Sequence, residues 1–205
     1  NAKRLLTHST AAEGGATGTT SFDSDGFSLD STNTTNKSSD NYVAWQWKTQ
    51  GGAGSSNTDG STNTITTSVN QTNGISINTY TGTGSNATVG HGLGAVPKMI
   101  IIKDRTNTES WIVYHEAVGN DGNVYLNLTN GKATQAVFQN TTPTSSVFSL
   151  GTTDGANKAS GLHVAYCFAE VTGFSRFGKY IGNGSTDGPF VHCGFRPAWF
   201  LLKPF

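Results

Sequence analysis

The feature that most constrains this chain is an internal repeat that its two ends cut across. Residues 27–47 (FSLDSTNTTNKSSDNYVAWQW) recur at 148–168 (FSLGTTDGANKASGLHVAYCF), 121 positions later without a gap and with nine of 21 positions identical. A second pair, 80–103 (YTGTGSNATVGHGLGAVPKMIIIK) and 180–203 (YIGNGSTDGPFVHCGFRPAWFLLK), is offset by about 100. Repeats of this kind mark supersecondary units whose apolar faces are buried by neighbours or by their own second half. The order along the chain is the tail of one unit, one whole unit, then the head of another. The expected boundaries are 1–48 for the C-terminal part of a β-sandwich unit, 49–73 for a Gly/Ser/Thr/Asn-rich linker, 74–170 for a complete unit and 173–205 for the N-terminal part of a following unit.

Composition narrows the function classes. Charged residues are 13% and the formal net charge is zero. A nucleic-acid binder needs a basic surface to displace counterions, so that class is excluded as an expectation. The 26 glycines and the abundant Ser, Thr and Asn would suit disorder, but four Trp, six Tyr and eleven Phe recur in short apolar runs that can build cores. No run reaches the length of a membrane span. No signal peptide is visible, and a chain that starts inside a repeat does not report on its true N-terminus. Cys167 and Cys193 make no disulfide framework, and Cys167 reads as a small buried thiol in a strand.

The periodicity predicts an all-β chain of antiparallel β-sandwich or jelly-roll units in tandem. Val43, Trp45 and Trp47 alternate with small or polar residues, and Val164, Tyr166 and Phe168 repeat that face with Ala165, Cys167 and Ala169 opposite. Further strands are expected at 99–102, 111–115, 124–128, 136–138, 147–150 and 200–202, punctuated by turn residues such as Asn130-Gly131 and Asp154-Gly155. Ile65, Thr67 and Val69 give part of the linker the pattern of an edge strand. Roughly eight short strands in about 100 residues, with no crossover helix, predict antiparallel pairing.

Candidate sites were weighed against plainer roles. Tyr80-x-Gly-x-Gly and Tyr180-x-Gly-x-Gly lead into strands, so they read as turns and not as phosphate loops, which open a helix. His91 and His192 stand alone in their units apart from Cys193, which favours structural histidines over a metal site. Asp23-Ser24-Asp25-Gly26 lacks the rest of a calcium loop and reads as a turn. Glu109 and Glu116, with Asp104 nearby, are the carboxylates a glycosidase would need; Glu13 and Glu170 are the other two glutamates. Trp111, Tyr114 and His115 are the candidates for a sugar-stacking platform, Trp111 and His115 sharing one strand face. No catalytic, cofactor-binding or metal-binding residue is assigned, and the chain is expected not to be an enzyme.

The motif series YTGTGSNATVGHGLGAVPKMIIIKDR, WIVYHEAVG, YLNLTN, SSVFSLG, VAYCFAEVTGFSRFGKYIGNGSTDGPFV and GFRPAW resembles a repeated domain of tailed-phage virion proteins of the marine type, in tail fibres and adhesins. The stretch SFDSDGFSLDSTNTTNKSSDNYVAWQWK resembles the end of the concanavalin-like or laminin-G-like domain that precedes it. Lys203-Pro204-Phe205 departs from the pattern, which would continue as a strand. The resemblance implies a β-sandwich in a virion appendage that presents loops for host-surface attachment or assembly. Its implied partners are other virion proteins, itself as a homo-oligomer (fibres being commonly trimers) and a host-surface glycan. It implies no cofactor and an extracellular particle as the location. The rival readings are an extracellular carbohydrate-binding module and, after it, a polysaccharide-degrading enzyme.

Aligned on the central unit, residue 1 falls near Gly122 and residue 205 near Arg105. Head and tail together lack only the equivalent of 106–121. A cut array would have this arrangement, and so would two partial units that complete one sandwich by strand addition, within a chain or between neighbours.

Overall fold

The computed structural model describes residues 3–15, 18–50 and 53–205. In chain order the strands are β1 (Lys3–Arg4), β2 (Gly14–Gly15), β3 (Thr19–Phe22), β4 (Phe27–Leu29), β5 (Thr64–Asn70), β6 (Ile75–Thr81), β7 (Ala87–Gly90), β8 (Met99–Asp104), β9 (Ile112–His115), β10 (Val124–Tyr125), β11 (Val147–Leu150) and β12 (Leu162–Phe168). Two single-turn helices interrupt them, α1 (Asn33–Asn36) and α2 (Asp154–Asn157). The fold is all-β, and its strand pairs are antiparallel. No helix among the described residues is long and apolar enough to cross a membrane.

The central unit is a two-layer sandwich. One layer is the sheet β10-β9-β8-β12-β6-β5, and the other is the β11-β7 pair. β12 lies in the middle, with Phe168 opposite both Met99 and Ile75, and Tyr166 opposite Ile101 and Ile77. The small inner residues of β12, Ala165 and Cys167, are fully buried beneath Phe148 and Leu150 of β11. Small residues on the central strand leave room for those larger side chains, so the layers interdigitate at the density of a protein interior. Tyr80, Ile100, Ile102 and Phe138 complete the inner core. Each such buried side chain contributes roughly 1.5–3 kcal/mol relative to exposure.

Thr64–Asn70, inside the segment with linker composition, is the edge strand of this sheet and runs in register along β6. Val137 and Phe138 lie in the core as a turn and not as the expected strand, because the chain closes there through the Gly151 N–H on the Val137 carbonyl (2.7 Å). β10 is shorter than the alternation at 124–128 suggests: the Asn123–Ala133 bridge and the Trp111 backbone use the neighbouring groups.

The flanking segments differ from the central unit. Residues 41–47 and 198–203, both strand-like in pattern, carry no strand and are largely exposed. In the central unit the equivalent of 41–47 is β12, which hydrogen-bonds on both sides, to β6 and to β8. An isolated strand has no such partners and cannot persist alone in water.

Candidate functional site

The outer face of the β8-β12 region is covered by the segment 3–15. Trp111 Nε1–H donates to the Leu6 carbonyl (3.0 Å), Glu109 N–H to the Thr10 carbonyl (3.0 Å) and Glu13 N–H to the Arg105 carbonyl (2.8 Å). The Glu13 carboxylate accepts from Arg105 Nε (2.7 Å) and pairs with Lys3 Nζ at 3.2 Å. Burial raises the Glu13 pKa, but the Arg105 and Lys3 contacts outweigh it and hold the carboxyl below its ordinary value.

This arrangement decides the fate of the candidate platform. Trp111 is 4% exposed, stacked on Tyr166 at 6.4 Å beneath the segment 3–15. Tyr114 faces the opposite way into the core against Phe138, at 5.3 Å. His115 is half-buried, and burial lowers its pKa. The three side chains therefore present no common aromatic surface.

Glu109 and Glu116 are not brought together. Glu116 follows β9, where it forms an exposed ion pair with Lys98 (2.5 Å). Glu109 precedes β9, beside Gly155 at the other end of the strand. Seven extended residues at about 3.3 Å each separate them by roughly 20 Å, beyond the separation of about 5–10 Å that paired glycosidase carboxylates need. Asp104 is fully buried and saturated. One carboxylate oxygen accepts from Thr106 N (2.7 Å), Thr106 Oγ1 (3.0 Å) and Asn107 N (2.8 Å), and the other from Asn107 Nδ2 (2.8 Å). Burial pushes its pKa up, and the Asn107 and Thr106 donors overcome this to hold it below the usual range.

The sequence did not single out the neighbours of Asp104. His163 Nε2 lies 3.6 Å from its carboxylate, and the imidazole stacks on Tyr80 at 5.2 Å. Burial lowers the His163 pKa against the opposing effect of Asp104. Lys103 is buried too, with Nζ donating to the carbonyls of Thr10 (3.2 Å) and Asp104 (2.7 Å). The available signal was a lysine closing an apolar strand, repeated at Lys203. The cluster is a closed hydrogen-bond network that fixes the segment 3–15 and the 104–107 turn to the sheet.

The remaining candidates take the plainer roles. His91 is buried, accepting from Leu93 N at Nδ1 (3.2 Å) with Nε2 on the Thr144 carbonyl (3.2 Å), and burial lowers its pKa. His192 is exposed, and no group of three or more His, Cys, Asp or Glu side chains among the described residues could hold a metal ion. Asp23 and Gly26 close the β3–β4 hairpin turn. Gly82 and Gly84 give their N–H groups to the Gly161 and Asn157 carbonyls, which docks the 82–85 turn onto α2. Cys167 is buried and its thiol is pushed up to about 12. A cavity of about 250 Å³, lined by Arg4, Leu6, Ala11, Ala12, Gly14 and Gly15, contains no acid–base pair.

The surface that stands out is apolar and lies on the two partial units. Tyr80, Ile100 and Ile102 are fully buried in the central unit, whereas their repeat equivalents Tyr180, Phe200 and Leu202 are exposed by 47%, 71% and 58%. Val164 is buried, but Val43 is 76% exposed. Trp45, Ile181 and Phe190 extend the same surface. Large exposed apolar patches of this kind mark interaction sites.

No curated protein and no solved structure matches the chain. One family model matches it over residues 1–205, and the chain thus belongs to the family described as a domain of unknown function (DUF7483).

Proposed function

We propose that this chain is a structural segment of a tailed-phage virion appendage of the tail-fibre type, which presents loops for host-surface attachment or virion assembly. The observation that carries the reading is the pair of exposed apolar half-sandwiches flanking a closed one. A chain built this way extends by contact with further units, as an appendage must. The motif order of the sequence supports the phage assignment. The burial of Trp111 and the separation of Glu109 from Glu116 remove the surfaces on which the glycan-binding and glycan-cleaving readings rested.

The test is immunogold electron microscopy of phage particles encoding the chain, using antibody raised against it. Label on a tail appendage is the expected result. Purified particles that carry no label, while the antibody recognises the denatured chain in the infected cell, would refute the proposal.

A further inference from the structure

The two partial units carry complementary halves of one docking surface. In the central unit the halves meet at three backbone hydrogen bonds: Gly84 N–H to the Asn157 carbonyl (2.8 Å), Ser160 N–H to the Gly82 carbonyl (2.9 Å) and Gly82 N–H to the Gly161 carbonyl (2.8 Å). The C-terminal segment keeps the first half as Tyr180, Gly182, Gly184 and Ser185. The N-terminal segment keeps the second half as Asn36, Lys37 and Ser39. Both already have the required backbone shape. Gly84 and Gly184 have φ of 70° and 65°, and Ser160 and Ser39 have φ of 62° and 68°. α1 lies at the same repeat offset as α2.

Register gives an independent sign. Phe168 stands opposite Met99 in the central sheet. Carried through the repeat offsets, that pair becomes Trp47 and Trp199, and these two rings do meet, edge to face at 5.9 Å. The same transfer sets Trp45 beside Leu201 and Phe177, and Tyr42 beside Tyr180.

Within one chain the strands are held apart. The backbone at 48–50 lies along β5 through Asn70 Nδ2 to the Lys48 carbonyl (3.3 Å), Thr49 Oγ1 to Ser68 Oγ (2.7 Å) and Ser68 Oγ to the Gln50 carbonyl (3.4 Å). Phe177 is packed on Phe168 of β12 and His115 of β9, at 6.2 and 6.4 Å. β5 is two strand positions from β12 and four from β9, about 10 and 19 Å at the spacing of neighbouring strands. Trp45 and Phe177 would have to sit on adjacent strands, about 5 Å apart.

We infer that residues 18–47 of a second copy of this chain complete the half-sandwich at 173–205, with 41–47 inserting as the central strand between 175–181 and 199–204. What such a shared unit lacks corresponds to 106–121, which includes β9 from the outer side of the sheet and no strand that β12 touches. Donor and acceptor lie on different parts of each chain, so the contact is head-to-tail and propagates or closes into a ring. The inference deepens the proposed assembly role and rests on its assembly part.

Two measurements test it. Differently tagged copies carrying Trp45→Cys and Leu201→Cys, both with Cys193→Ser, are mixed and oxidised; the buried Cys167 stays silent. A mixed disulfide between the tagged chains is expected. Light scattering on the unsubstituted chain is expected to show concentration-dependent association, weakened about 10- to 100-fold by Gly182→Ala. A methyl at Gly182 meets nothing within 4 Å in the single chain, whereas its equivalent at Gly82 would press on the Asn157 and Lys158 carbonyls, so thermal stability should not change. No mixed disulfide, a disulfide that forms only within a chain carrying both cysteines, or association indifferent to Gly182→Ala would each overturn it. An appendage that labels with antibody while no cross-link forms would refute strand exchange alone; cross-linking without label would refute the virion role alone.

Discussion

Replacing Asp104 by Asn tests whether the buried network holds the central unit together. The side chain keeps its shape and loses its charge. Three donors then face a neutral oxygen: Thr106 N, Thr106 Oγ1 and Asn107 N. The new amide group meets the Asn107 Nδ2 donor, where the carboxylate oxygen accepted at 2.8 Å. Turning the Asn107 amide over would relieve that clash but give up its bond to Thr106 Oγ1 (3.0 Å). Hydrogen bonds to a charged group are worth about 1.5–3 kcal/mol and neutral ones about 0.5–1.5. Three weakened bonds and one lost, less the desolvation relieved with the charge, give a loss of about 2–4 kcal/mol. At roughly 4 °C per kcal/mol, Tm should fall by roughly 8–16 °C.

The pH dependence adds a second constraint. The folded pKa of Asp104 lies below its unfolded value of about 3.9, so its contribution is present above that value and lost as pH falls through the folded one. His163 faces the carboxylate, and without it burial depresses the imidazole further. The gap between wild type and Asp104→Asn should therefore widen slightly below about pH 6.5, then close below about pH 4. The assay is calorimetric or circular-dichroism melting between about pH 7 and 2.5. A gap of less than about 0.5 kcal/mol at pH 7, the scale of an ordinary surface substitution, or one that stays constant down to the lowest pH, would refute the reasoning.

Two other substitutions probe separate contacts. Trp111→Phe removes the Nε1–H bond to Leu6 and part of the stack on Tyr166, about 1 kcal/mol, and should raise amide exchange and protease cleavage in 3–15 before the core melts. Gly82→Ala drives a methyl into the Lys158 carbonyl and to 2.8 Å from the Asn157 carbonyl carbon, and should destabilise the central unit by about 1–3 kcal/mol in a melting experiment.

Much of the fold was legible because strand periodicity is local. The alternation at 162–168, the apolar run at 99–102 and the β-branched cluster at 112–115 each mark a strand from a few neighbours. The repeat added the correspondence between the N-terminal tail and the second half of the central unit, down to the single helical turn at the same offset. The buried network was not legible. Lys103 and His163 acquire their meaning from Thr10, 93 residues away, and from Asp104 on the adjacent strand.

The sequence by itself determined that this chain is all-β, that it carries one complete unit between two partial ones, and which residues form each strand. Those properties follow from side-chain alternation and from repeated spacing, which any short window contains. Only the tertiary structure decided which strands found partners. β12 became a strand because β6 and β8 flank it, whereas 41–47, with nearly the same alternation, stays open and exposed. Only the fold, likewise, turned Trp111 inward under the N-terminal segment and set Glu109 and Glu116 at opposite ends of β9. The physical reason is that a strand's hydrogen bonds are made with other strands, so its pattern can be written locally while its stability is supplied from elsewhere in the chain or, as inferred for 41–47, from another copy.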